Sequence, residues 1–226
     1  MSIIRLGRLA ALGAAVALLA GCAGTSPGVA VEVGEESITV NELDEVTTNY
    51  CTAIEDQLTG NGQVIPLSLF RGAIAARLAN RSVGEQLAAE YDVEAGQTYD
   101  KEVAALEQSA AALGDEVRDA VVLVETEQTY SQAIQAAVGR QLLDEEGAGD
   151  VKYSDTVARG QEAYQDWIAE NGVTFDPKLG VDLVDGQARP VDTSLSFPVG
   201  ESAVAGSKQN PDPEYAQGLP DPQRCG

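Results

Sequence analysis

The chain contains no histidine in 226 residues, and only three cysteines. Without histidine, Ser-His-Asp and Cys-His catalysis, histidine-containing zinc sites and imidazole acid–base chemistry are all excluded. No Walker A loop, GxGxxG turn, Ser-x-x-Lys pair or Cys-x-x-Cys pair occurs. Aromatic residues make up 5% of the chain, too few for an extensive exposed apolar surface. Positive charge is also scarce: 14 Lys and Arg stand against 36 Asp and Glu, a net charge of −22. Such a surface repels nucleic acid and anionic headgroups, so no nucleic-acid partner is expected. The alternative is that the acidity reflects only a compositional bias of the source proteome. Carboxylates are too numerous for one catalytic pair to stand out. DEEGAGD (144–150) and DLVDG (182–186) set oxygen ligands beside glycines but miss the spacing of an EF-hand. No catalytic residue, metal ligand, cofactor or small-molecule substrate can be read from the sequence.

Long hydrophobic runs are missing too, except at the start. MSIIRLGRLAALGAAVALLAGC has a basic beginning at Arg5 and Arg8, then an uncharged stretch from Leu9 to Ala20. That stretch is short for a membrane span and fits the apolar region of a signal peptide. Its end, Leu19-Ala20-Gly21-Cys22, resembles the lipobox of bacterial lipoproteins. The resemblance implies cleavage after residue 21 and a diacylglycerol on the Cys22 thiol. The alternative is an ordinary secretory signal with a chance cysteine. Residues 1–21 are then a signal peptide and 22–29 a lipidated tether, and the expected location is extracytoplasmic, anchored to the membrane by lipid.

If Cys22 carries lipid, Cys51 and Cys225 remain. Outside the reducing cytosol they can form a disulfide, the alternative being two free thiols. The bridge would enclose most of the chain, worth about 5 kcal/mol in the chain-entropy model.

Hydrophobic periodicity predicts a mainly helical fold. Short strands at 30–33 and 37–40 flank a Gly34-Glu35-Glu36 turn. Thr39-Val40-Asn41-Glu42 has capping-box spacing, and a helix follows until GNGQ at 60–63. Further helices are predicted at about 67–91, 99–113, 115–146 and 154–170. Their apolar members include Phe70, Tyr91, Leu106, Leu113, Tyr130, Tyr164 and Trp167. Arg71, Arg77 and Arg81 share the second helix, where pairing with acidic neighbours is the plain reading and an anion site the sharper one. Asn80-Arg81-Ser82 matches a glycosylation sequon but falls inside a helix. After Asn171-Gly172 the pattern turns extended at 173–175, 181–184 and 194–199. The Pro- and Gly-rich tail, 201–226, offers little to pack except Cys225.

VEVGEESITVNELDE, AAEYDVEAGQTYDKEVAAL, YQDWIAENGVTFDPKLGVDLVDG and DTSLSFPVG together resemble the N-terminal domain of SurA-type periplasmic chaperones, in a parvulin-free lipoprotein form covering about residues 30–200. The resemblance implies a helical body of about five helices, with a small sheet formed by the N-terminal hairpin and a C-terminal extended segment. It also implies a chaperone-like function: binding unfolded or extended segments of exported proteins. Lys178-Leu179 stand where such domains carry an arginine and an aromatic. The stretch after Glu170 is too short for a parvulin domain, so prolyl isomerisation is not expected. The expected partners are exported or cell-envelope proteins, with the membrane reached through the lipid anchor. The second expectation is a structural or interaction lipoprotein with one specific protein partner. What separates the two is whether Phe70, Tyr91, Tyr130, Tyr164 and Trp167 line an exposed groove or fill a core.

Overall fold

Strand β1 (Val29–Val33) buries Ala30, Val31 and Val33, and pairs antiparallel with β2 (Glu36–Thr39) with a register shift between Val29 and Val31. The turn between them needs Gly34: its φ is +56°, and an added Cβ would stand 3.0 Å from the Trp167 ring. On its other edge β1 pairs with β4 (Val173–Phe175), Val31 opposite Phe175 and Val33 opposite Val173. The resulting three-stranded antiparallel sheet has the order β2-β1-β4, so the hairpin is joined by a segment from far along the chain. The computed structural model describes residues 25–184, 187–191, 199–206, 208 and 211–226.

Thr39 ends β2 and caps α1 (Val40–Gly60), its side-chain oxygen accepting from the Glu42 amide at 3.1 Å. A two-residue strand, β3 (Ile65–Pro66), leads into α2 (Leu67–Tyr91), which carries much of the core: Phe70, Ile74, Leu78, Val83 and Leu87 are all buried. Asp92, in the left-handed region at φ +53°, stops α2. Then come α3 (Gln97–Ser109), α4 (Asp115–Glu145) and α5 (Tyr153–Asn171). Asp115 and Glu116 in the first turn of α4 complement the positive end of its dipole. The third helix is shorter than the predicted 99–113. The helix proper buries no residue; beyond it Ala110 is buried, but the chain passes into turns and Leu113 is 37% exposed.

After β4, a 3-10 turn at Pro177–Leu179 leads to a separate hairpin of β5 (Val181–Val184) and β6 (Gln187–Pro190). The extended run expected at 194–199 lies outside the described residues except for Val199, which is exposed. The tail is better packed than its composition suggests. It forms two short helices, α6 (Glu201–Gly206) and α7 (Pro213–Gln217), buries Ala216, and ends in β7 (Arg224–Cys225) paired antiparallel with β3. The fold is therefore mainly helical with a small antiparallel sheet, and two short helices join the five long ones.

Candidate functional site

Cys51 near the middle of α1 and Cys225 in β7 are joined, with Cα atoms 5.8 Å apart and a sequence separation of 174. Cys225 is fully buried. Cys22, the residue expected to carry lipid, lies outside the described residues. Among the described residues no helix is long and apolar enough to cross a membrane.

The five aromatics do not form an open cradle. Phe70, Tyr130, Tyr164 and Trp167 are buried, and Tyr91 is half-buried against the same core. The arginines of α2 are engaged as well. Arg71 Nε lies 2.6 Å from Asp44 Oδ1, close enough to pair but out of line for a hydrogen bond. Arg81 binds Glu85 at 2.6 Å and the Tyr99 hydroxyl at 2.7 Å, and lies over the Tyr130 ring. Arg77 donates to the Val124 carbonyl at 3.0 Å. The pairing reading of these residues is the one found, not an anion site.

What is open is a groove of about 630 Å³ with mixed polar and apolar lining, between α2, α4, α5 and the 3-10 turn. Glycines set its walls. At the crossing of α4 and α5, a Cβ on Gly139 would overlap the Thr156 carbonyl, and one on Gly160 would overlap the Gln135 carbonyl. The two backbones therefore touch with no side chain between them. Gly72 does the same more loosely for α2, where a Cβ would come within 2.8 Å of the Leu179 carbonyl. Leu179 itself is buried, so the Lys178-Leu179 turn forms one end of the groove.

Five of the side chains lining this space are carboxamides. Gln128 and Gln132 are exposed on α4, while Gln135, one turn further on, is only 8% exposed. Among the described residues nothing hydrogen-bonds the Gln135 carboxamide. Gln161 on α5 and Asn80 on α2 face the same space, Asn80 accepting from the Tyr164 hydroxyl at 3.1 Å. The Asn80-Arg81-Ser82 sequon is thus a helix segment whose asparagine serves the groove wall.

One buried carboxylate lies here too. Glu127, 6% exposed, accepts from the Ser131 hydroxyl at 3.0 Å through Oε1, while its Oε2 is 3.9 Å from Arg77. Burial pushes its pKa above the usual carboxylate range; Ser131, Arg77 and Arg81 pull the other way without cancelling the effect. Burial also pushes the Tyr164 hydroxyl well above its ordinary pKa, with the Glu127 charge adding to it. The site offers neutral donors and acceptors with one buffered carboxylate, an arrangement suited to holding polar groups. Among the described residues no three Cys, Asp or Glu side chains gather as a metal ligand set.

Periodicity missed these glutamines because they occupy the polar positions of α4 between its apolar members. The available signal was Gly139 and Gly160, since glycine inside a helix costs about 1 kcal/mol and marks a close approach. No family model, curated protein or solved structure matches the chain.

Proposed function

We propose that the chain is a membrane-anchored, extracytoplasmic docking protein with a chaperone-like framework, holding extended segments of exported or cell-envelope proteins without turning them over. In this reading Cys22 carries the lipid, AGTSPG spaces the domain from the membrane, and the groove between α2, α4 and α5 receives the segment. One observation carries the proposal: a solvent-open groove of about 630 Å³, within the usual range for ligand sites, in which the buried Gln135 presents an unpaired carboxamide. The range of clients is narrow. Shielding many unfolded chains takes exposed apolar contact, and four of the five aromatics are committed to the core. Recognition through hydrogen bonds instead favours one partner, or a few, over a broad class.

The test uses residues 23–226, which contain every described element, with the cysteine pair oxidised. Binding is measured by fluorescence anisotropy against reduced, carboxamidomethylated α-lactalbumin and against the folded form, at physiological salt. Saturable binding of the unfolded chain alone is expected. Equal binding of both forms, or of neither, overturns the docking of extended segments.

A further inference from the structure

We infer that the groove reads the main chain of its occupant, through a ladder of carboxamides on α4 centred on Gln135. The inference rests on the docking function proposed above and specifies what that site recognises: an uncharged polypeptide segment in extended conformation.

The chemistry starts from what a carboxamide offers. It has an acceptor oxygen and a donor nitrogen side by side, the complement of the C=O and N–H carried by each peptide unit. One glutamine can therefore bind one residue's backbone with two hydrogen bonds, whatever its side chain. Gln135 is placed to do this. It is nine-tenths buried, lines the groove, and has no hydrogen bond among the described residues. Its own carbonyl is pressed against Gly160 at the α4–α5 crossing, so the side chain springs from a fixed point. The carboxamide reaches solvent at the groove, so an occupant supplying both partners would take the place of water there.

The spacing along α4 fits an extended chain. Gln128, Gln132 and Gln135 share one helix face, at rises of about 6 and 4.5 Å. Peptide groups facing the same way along a strand recur every two residues, about 6.7 Å apart. The first step is close to that repeat and the second shorter, and the whole ladder spans some three residues of extended chain. Across the groove, Gly72, Ala73 and Ala76 present little bulk, so a backbone can come near. Other ligand classes fit less well. Glu127 and Arg77 offset each other within the groove, which leaves nothing to select a charged group. Tyr164 is the one aromatic among the described lining residues; it is buried with its hydroxyl tied to Asn80, so no ring face is free for a sugar or base to stack on.

The experiment titrates ¹⁵N-labelled residues 23–226 with a capped, uncharged ten-residue peptide of Ser, Ala, Val and Thr. A second titration uses the same peptide N-methylated at alternate residues, and a third a neutral oligosaccharide. The expected result is a shift of the Gln135 side-chain amide signals by the first peptide only. Gln135→Leu should weaken binding about tenfold, equivalent to about 1.4 kcal/mol. Gln132→Ala, at an exposed position where folding is not at risk, should weaken it less. Equal binding of the methylated peptide, unchanged affinity in both variants, or shifts caused by the oligosaccharide would each overturn main-chain reading. If unfolded α-lactalbumin binds while methylation makes no difference, the docking function stands and only this inference fails. If neither probe binds, both fail.

Discussion

Helix α4 meets α5 and α2 in opposite ways. Against α5 it is closed to the backbone: Gly139 and Gly160 bring the helices so near that a Cβ at Gly160 would stand 2.9 Å from Gln135 Cα. Against α2 it is closed at one end only. There Arg81 lies over Tyr130, and Gly84 lets the Tyr130 ring approach. Further along, beside Arg77, Ala76 and Ala73, the two helices leave the groove. Gln135 belongs to both seams, its carbonyl in the closed one and its side chain in the open one. The difference teaches that rigidity and access here are one design: tight packing on one face of a helix fixes the group that its other face presents. Adding atoms should ruin the closed seam, whereas removing polarity should be tolerated by the open one.

The largest effect should follow from breaking the closed seam. In Gly160→Ala the new methyl meets backbone, which cannot swing aside. A loss of more than about 4 kcal/mol is expected, with the cooperative thermal transition lowered by about 10 °C or more. A fall of only a degree or two would mean that the helices separate easily and that the contrast between the seams is wrong.

A covalent closure sharpens the contrast. The Cys51–Cys225 link ties β7 and the tail to α1. Replacing both cysteines with serine should cost about 2–4 kcal/mol. Limited proteolysis should then cut first within 201–226 while α4 and α5 stay protected. Unchanged melting and unchanged tail cleavage would show that the β3–β7 pairing holds the tail without the bridge.

Legibility in the sequence follows the same division. Helix α2 is predicted at its observed bounds because Pro66 opens it and a dense apolar stripe runs to Tyr91. Helix α3 is predicted too long, since Ala110-Ala111-Ala112-Leu113 keeps helical composition although only Ala110 of the four is buried. The strands β3 and β7 are two residues each, too short for any period, and their pairing joins Ile65 to Cys225, 160 positions away. The carboxamides of α4 are visible as polar positions, but periodicity does not distinguish a groove wall from a solvated face. That distinction is made by α5 and the 3-10 turn, which arrive from later in the chain.

In the open seam, Glu127→Gln tests the cost of a buried charge. The folded pKa of Glu127 is raised, so above that value the folded chain carries a charge that burial disfavours and the unfolded chain does not mind. Below the ordinary carboxylate range the group is protonated in both states and the difference vanishes. The variant should therefore be more stable at pH 8, by about 1 kcal/mol or a few degrees in Tm. The gain should shrink as pH falls through the window between the raised and the ordinary pKa. A variant less stable than the parent at pH 8 would mean that the pairing with Arg77 outweighs desolvation.

The smallest change in stability belongs to Gln135→Leu, and it bears most directly on function. The substitution shortens the side chain by one atom and removes an amide that has no hydrogen bond among the described residues. A gain of about half a kcal/mol is expected, less than the full cost of an unpaired buried amide because the groove admits solvent. Combined with a tenfold loss of peptide affinity, that gain would identify Gln135 as a residue whose polarity serves binding at a small expense to the fold. Its sign decides the matter: destabilisation by 1 kcal/mol or more would show that the carboxamide supports the α4–α5 crossing, and the two seams would then be a single structural unit.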